Sequence, residues 1–243
     1  MSHPTSATEP LDVDEIGASK NGVPQRSQRR LYLQLLTFTG CTETAPVVDS
    51  LRGSGIESVL YLNAQDPSGV GLLTMAEDPS VFVTDLRALL NRPPFSQMTL
   101  CPSTTMMGRT YSSGREVDLN DWLLKKPRRV SRNPDWPWAV WYPMRRKATF
   151  EHLPREEQGK IMFEHARIGM RFGDAGLVQD IRLACHGLDR NDNDFVLGLA
   201  GRDLFPLSRI VQEMRKTQQT ALHMESLGPF FVGKALWQTP FSE

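Results

Sequence analysis

The chain has 243 residues, 40% of them hydrophobic and 23% charged, the balance of an ordinary soluble globular protein with one large domain or two small ones. Lys plus Arg equals Asp plus Glu at 28 each, so no global field favours nucleic acid or an anionic membrane. No apolar run approaches the roughly 20 residues of a bilayer span. Three scattered cysteines (Cys41, Cys101, Cys185) without CxxC spacing point away from a disulfide framework and towards a reducing compartment. The expectation is a cytoplasmic protein with neither membrane nor nucleic-acid partners.

Residues 1–28 are polar, rich in Ser, Pro and Asp, and lack the hydrophobic segment of a secretory signal; they read as a mobile tail. "LYLQLLTFTG" (31–40) is rich in β-formers and bounded by glycine, which predicts a central strand. A short helix or turn and another strand follow in "VDSLRGSGIESVLYLNA". Its "GSGIES" lacks the third glycine of a dinucleotide fingerprint. In "VGLLTMAEDPSVFVTDLRALL" (70–90) a strand runs into Asp78, a candidate N-cap, and Pro79 in the first turn. Val81, Leu86 and Leu89 then recur at helical spacing.

The basic segment 115–137 separates this half (29–114) from a second (138–243). Lys125, Lys126, Arg128, Arg129, Arg132, Arg145, Arg146 and Lys147 fall within 23 residues. Such a run is ordinarily a solvated face. The second half opens with "WAVWYPMRRK" (138–147), an apolar strand ending in a phenol and three cations. Extended, it turns Tyr142, Met144 and Arg146 one way and Arg145 and Lys147 the other. Either the strand is leaving the core for water, or it presents those groups to a buried anionic ligand, whose carboxylates would need pairing.

"LPREEQGKIMFEHARIGMRFG" (153–173) predicts a helix opened by Pro154, with Glu156 and Glu157 at the positive end of its dipole and Gly173 to close it. Ile161, His165, Ile168 and Phe172 share one face, so His165 points inward. No HExxH, second histidine at i+3 or i+4, or nearby cysteine pair accompanies it, which leaves zinc unsupported. A lone inward histidine is either a hydrogen-bonded core residue or the single protein ligand that a haem iron requires. In "LVQDIRLACHGL" (177–188) Ile181, Leu183 and Cys185 alternate on one face of a strand, leaving Asp180 and Arg182 on the other, towards solvent or a pocket. "FVLGLAGRDLFPLSRIVQEMR" (195–215) repeats the strand–aspartate–proline–helix order of 70–90 about 125 residues later, with Asp203 before the helix and Leu207, Ile210, Val211 and Met214 along it. This duplication predicts two similar α+β halves with helices on one face of each sheet.

"WYPMRRK", "MFEHARIG", "GLD", "DFVLGLAG", "IVQEMR" and "LGPFFVG", in unbroken order over residues 138–236, resemble the chlorite dismutase-like superfamily, and within it the coproheme decarboxylases. The N-terminal half is similar only in architecture. The resemblance implies two ferredoxin-like halves forming a dimeric α+β barrel and assembled as a homo-oligomeric ring of five subunits. It implies iron coproporphyrin III (coproheme) as bound substrate, His165 as the iron ligand, and hydrogen peroxide as oxidant. Tyr142 is then the tyrosine whose radical removes hydrogen from a propionate β-carbon, so that loss of carbon dioxide leaves a vinyl group; two rounds give haem b. Arg215 and Arg128 match family arginines, the former near a propionate, and Arg146, Lys147 and Arg182 complete the expected cation set. Two departures matter. The family's decarboxylases place lysine four residues after the tyrosine, where Arg146 stands here. The distal position, glutamine in decarboxylases and arginine in chlorite dismutases, falls on Asp180, with Gln179 beside it. Asp180 is therefore expected to act as general base on peroxide, held ionised by Arg182. The other activities open to such a chain are a haem peroxidase or chlorite dismutase-like enzyme, and a haem-binding protein without turnover.

Overall fold

The computed structural model describes residues 11–241. Its centre is a closed antiparallel barrel built from two copies of one motif. The first copy runs β3 (Tyr32–Thr39), α1 (Ala45–Arg52), β4 (Ser58–Asn63), β5 (Val70–Ala76), α2 (Asp85–Leu90) and β7 (Met106–Thr110). The second runs β8 (Trp138–Arg146), α4 (Arg155–Asp174), β9 (Gln179–Ala184), β10 (Phe195–Gly201), α5 (Leu204–Met214) and β12 (Phe231–Gln238). Each is the βαββαβ order of a ferredoxin-like unit, so the predicted α+β fold class holds. The strands hydrogen-bond around the circuit β8-β10-β9-β7-β3-β5-β4-β12 and back to β8. The halves join at β4–β12 and, more briefly, at β7–β9. Short β6 (Thr99–Leu100) pairs with β3, and β11 (Met224–Leu227) extends the β12 edge along β8.

Alternation along each strand sorts side chains between inside and outside. Leu33, Leu35, Val59, Leu73, Trp141, Ile181 and Leu183 fill the barrel. Outside the N-terminal half, Leu36, Leu60 and Leu72 pack under α1 and α2. Outside the C-terminal half, Val140, Tyr142 and Leu199 pack under α4 and α5 with Leu207 and Ile210. Trp141 is 2% exposed and lies flat over Gly198 of β10, its register partner; a Cβ there would meet the indole ring at 2.5 Å.

Several local expectations are corrected. Residues 15–27 do not belong to a mobile tail: β1 (Glu15–Lys20) and β2 (Val23–Ser27) form a hairpin around Asn21 and Gly22, both at positive φ (54° and 81°), as a tight Asn-Gly turn requires. The hairpin is tied down, with Glu15 accepting from Arg109 Nη1 (2.9 Å) and the Ser112 backbone N–H (2.8 Å), and Gln25 Nε2 donating to the Glu116 and Val117 carbonyls. Residues 1–10 of the expected tail lie outside the described residues. The connector is a wide π turn (Asp121–Lys125) continuing into α3 (Lys126–Ser131), and Leu119, Leu123, Leu124 and Val130 enter the barrel core. Its cations are largely paired within the chain: Arg128 binds Glu57 through Nε and Nη2, Arg129 binds Asp121, and Arg132 approaches Glu57. The solvated-face reading is thereby replaced by an ion-pair network. The 70–90 segment breaks into a 3₁₀ turn (Pro79–Phe82), capped by Asp78 on the Ser80 N–H, and then α2. Helix α4 continues past Gly173 to Asp174, and Gly176, at φ 67°, makes the left-handed turn. No helix among the described residues is long and apolar enough to cross a membrane.

Adding one methyl group under Trp141 tests the packing. Gly198→Ala is expected to lower unfolding stability by about 1–3 kcal/mol through overpacking, read from chemical denaturation midpoints; an unchanged midpoint would mean that the indole can move away.

Candidate functional site

A cleft of about 910 Å³, including its open mouth, lies between the outer face of β8–β10–β9 and helices α4 and α5. Its walls are mostly apolar, from Phe195, Leu197, Leu199 and Ile210, and four methionines add flexible thioethers: Met144, Met162, Met214 and Met224.

His165 enters from α4. Its Nδ1 lies 3.1 Å from Thr217 Oγ1, a residue at the start of α6 (Gln218–His223), and its Nε2 has no hydrogen-bond partner among the described residues. Burial, reinforced by the charges of Arg182 and Arg146, pushes its pKa down to about 4, against an opposing pull from Asp180. The imidazole is therefore neutral near pH 7, the form that binds metals. Among the described residues no three His, Cys, Asp or Glu side chains converge as a metal-ligand set, and His165 stands at the cleft as a single candidate ligand.

Strand β9 brings Asp180 and Arg182 to the same wall, because Ile181 and Leu183 between and after them turn into the barrel. The Asp180 carboxylate is held from both sides: Lys126 Nζ of α3 donates to Oδ1 at 2.9 Å, and Arg182 Nε donates to Oδ2. Trp122 backs the cluster, with Lys126 Nζ 4.2 Å and the Arg182 guanidinium 5.5 Å from its ring centroid. Burial alone would raise the Asp180 pKa, but the two cations more than offset it and hold the group well below the usual carboxylate range. Such a carboxylate is a poor proton acceptor, which argues against the expected general-base role; the geometry suits it to anchoring Arg182. Gln179 also reaches the cleft.

Arg146 completes the wall. Its guanidinium stacks between Phe150 (4.5 Å) and Phe195 (5.0 Å) and touches exposed Glu151 at 3.3 Å, yet its buried Nε has no partner. Buried Gln219 Oε1, also on the cleft, is likewise unpartnered. A donor left unsatisfied beside a cavity fits a ligand that brings a carboxylate.

Not every expected residue reaches the cleft. Tyr142 is 3% exposed and packs on Phe230 (centroids 4.6 Å apart) on the cleft side of β8, opposite Leu197, without lining the space itself. Burial, with the Asp180 charge, raises its phenol pKa against the pull of Arg215. Arg215 is exposed with its guanidinium 6.0 Å from the Phe230 ring centroid, and Lys147 donates to the Leu222 carbonyl at 2.8 Å. Both stand off the cleft wall. Arg128 is committed to Glu57 and Glu77, away from the cleft. Conversely, the sequence reading missed Tyr111, a half-buried phenol on the wall just after β7, and also Lys126, Thr217, Gln219 and the methionines.

A family model described as chlorite dismutase matches residues 83–236, most of the chain. The chain belongs to the chlorite dismutase family. Solved structures agree in fold. A heme-binding protein from Thermus thermophilus is 20% identical, with a TM-score of 0.66 over 86% of this chain and 91% of that one. Chlorite dismutase from Candidatus Nitrospira defluvii in complex with imidazole is 16% identical, with a TM-score of 0.65 over 86% and 92%. At these identities the structures speak for the fold; the family model carries the membership.

The depressed His165 pKa has a stability consequence. Between pH 6.5 and about 4 the unfolded chain takes up a proton that the folded chain refuses, so stability falls as pH drops through that window, by up to roughly 3 kcal/mol. His165→Gln is expected to flatten that part of the profile in pH-dependent denaturation; an identical profile would place the His165 pKa near its ordinary value.

Proposed function

We propose that the cleft binds iron coproporphyrin III and that the protein oxidatively decarboxylates two of its propionates to vinyl groups with hydrogen peroxide, giving haem b. The observation that carries the reading is the pairing, in one apolar cleft, of a solitary neutral imidazole with fixed cations. The macrocycle brings four ligands to its iron, so His165 would supply the fifth, and Arg146 and Arg182 would pair with carboxylates. Arg146, with its unsatisfied Nε, is the leading carboxylate partner. Charges on the cleft wall and paired with it are Arg146, Arg182 and Lys126 against Asp180 and the exposed Glu151, a net surplus of one positive charge that suits an anionic ligand.

When bound, the iron porphyrin supplies the oxidising power drawn from peroxide. The chain's own contribution is to hold the macrocycle still, exclude water behind Leu197, Leu199 and Phe195, and keep one phenol, Tyr142, buried and protonated within the sheet at its edge. For each propionate the balance is one peroxide and one proton taken up, one carbon dioxide and two waters released; the propionate loses two electrons and its β-carbon one hydrogen. A homo-oligomeric ring, by resemblance of five subunits, belongs to the same proposal and would be read by light scattering.

Arg182 favours a second reading. A guanidinium fixed on the cleft wall could pair with a small anionic oxidant, and decomposition of chlorite to chloride and dioxygen would be its product signature. An oxygen electrode with added chlorite separates the two.

Purified protein mixed with iron coproporphyrin III and then peroxide is expected to show two successive losses of a carboxyl group by mass spectrometry. Tyr142→Phe is expected to retain the absorption spectrum of the loaded protein and form no vinyl product. Full turnover by that variant would move the chemistry to another residue, and a wild-type protein that leaves all four carboxylates in place would reduce the function to porphyrin binding.

A further inference from the structure

Thr217 is 2% exposed and its hydroxyl is saturated. It has one hydrogen to give, which goes to the Met214 carbonyl at 2.7 Å in preference to the Thr220 hydroxyl at 3.5 Å. Towards His165 Nδ1, 3.1 Å away, it therefore acts as acceptor, and its remaining lone pair faces the Thr220 N–H at 3.5 Å. A hydroxyl committed in this way cannot donate to an imidazole lone pair, so Nδ1 must carry the proton. Nε2 is left bare at the cleft.

We infer that Thr217 is a positioning residue that fixes His165 in its Nδ1–H tautomer and aims the Nε2 lone pair into the cleft. An imidazole free in water prefers the opposite tautomer, with the proton on Nε2, which would close the ligand position with a hydrogen. The bond made by one ring nitrogen decides what the other can do. The partner is a neutral hydroxyl ending in a backbone carbonyl, with no carboxylate in the relay, so the imidazole keeps its Nδ1 proton and remains a neutral ligand. The tautomer stands on this geometry alone; its use rests on the reading of His165 as the iron ligand.

The test needs no porphyrin. In protein with ¹⁵N-labelled histidine near pH 7, long-range ¹H–¹⁵N correlation spectra, with the His165 signals identified by their loss in His165→Gln, are expected to show a protonated Nδ1 and an unprotonated Nε2. Thr217→Val is expected to move the ring towards the Nε2–H form, and Thr217→Ser to restore the wild-type pattern. A wild-type ring already in the Nε2–H form overturns the inference, as does a Thr217→Val spectrum identical to wild type. Should the valine variant not fold, the wild-type and serine spectra still decide. A chain that passes this test and never makes vinyl product would sink the proposed function and leave the tautomer intact, so the two failures are distinguishable.

Discussion

Everything at the cleft depends on β8 being hydrogen-bonded along both edges, to β10 on one side and to β12 and β11 on the other. A strand held on both sides cannot slip by a residue without turning its whole interior set outwards. Its odd positions Ala139 and Trp141 are barrel core, while its even positions Val140, Tyr142, Met144 and Arg146 face the other way, Val140 and Tyr142 packed under the helices and Met144 and Arg146 lining the cleft. The indole seated over Gly198 therefore fixes more than stability. It sets the register by which Tyr142 lies opposite Leu197, and Leu197 in turn opposite Arg182.

Charge is placed by the same logic. Lys126 reaches Asp180 only because the connector buries Leu123 and Leu124 in the barrel and so brings α3 close to β9. Held between Lys126 and Arg182, the carboxylate gives up basicity and serves to fix a guanidinium. Arg146 is fixed by other means, two aromatic rings, and keeps an unused donor. One cation is thus already neutralised in part while the other still lacks a full set of partners, an asymmetry that ranks Arg146 above Arg182 as a carboxylate partner.

The repeated motif was legible because it is written in local patterns: strand, aspartate, proline, helix, twice over. Periodicity put His165 on the inner face of its helix and Asp180 with Arg182 on one face of their strand, but left open whether that face met solvent or a pocket. Pairings across long sequence separations were not legible. Arg128 and Glu57 are 71 positions apart and His165 and Thr217 are 52, and nothing local marks either partner. Alternation put Tyr142 on one face with Met144 and Arg146, but periodicity cannot say whether a residue lines a space or lies just beneath its surface. The hairpin at 15–27 is a different kind of miss. Its Asn-Gly pair is a strong local turn signal, and polar composition outweighed it in the sequence reading.

That hairpin bears on how the protein can be handled. Polar leaders are commonly trimmed before tagging or crystallisation, and the composition of this one invites a cut near residue 29. Such a cut would remove Gln25, whose amide spans three carbonyls of the hairpin and connector while its oxygen takes the Leu119 N–H, and Glu15, which gathers Arg109 and Ser112 at the end of β7. Tyr111, on the cleft wall, lies between those two anchored residues. A shortened protein would thus lose a brace at the rim of its own binding site, and a weakened affinity in it would report on the surgery rather than on the native chain.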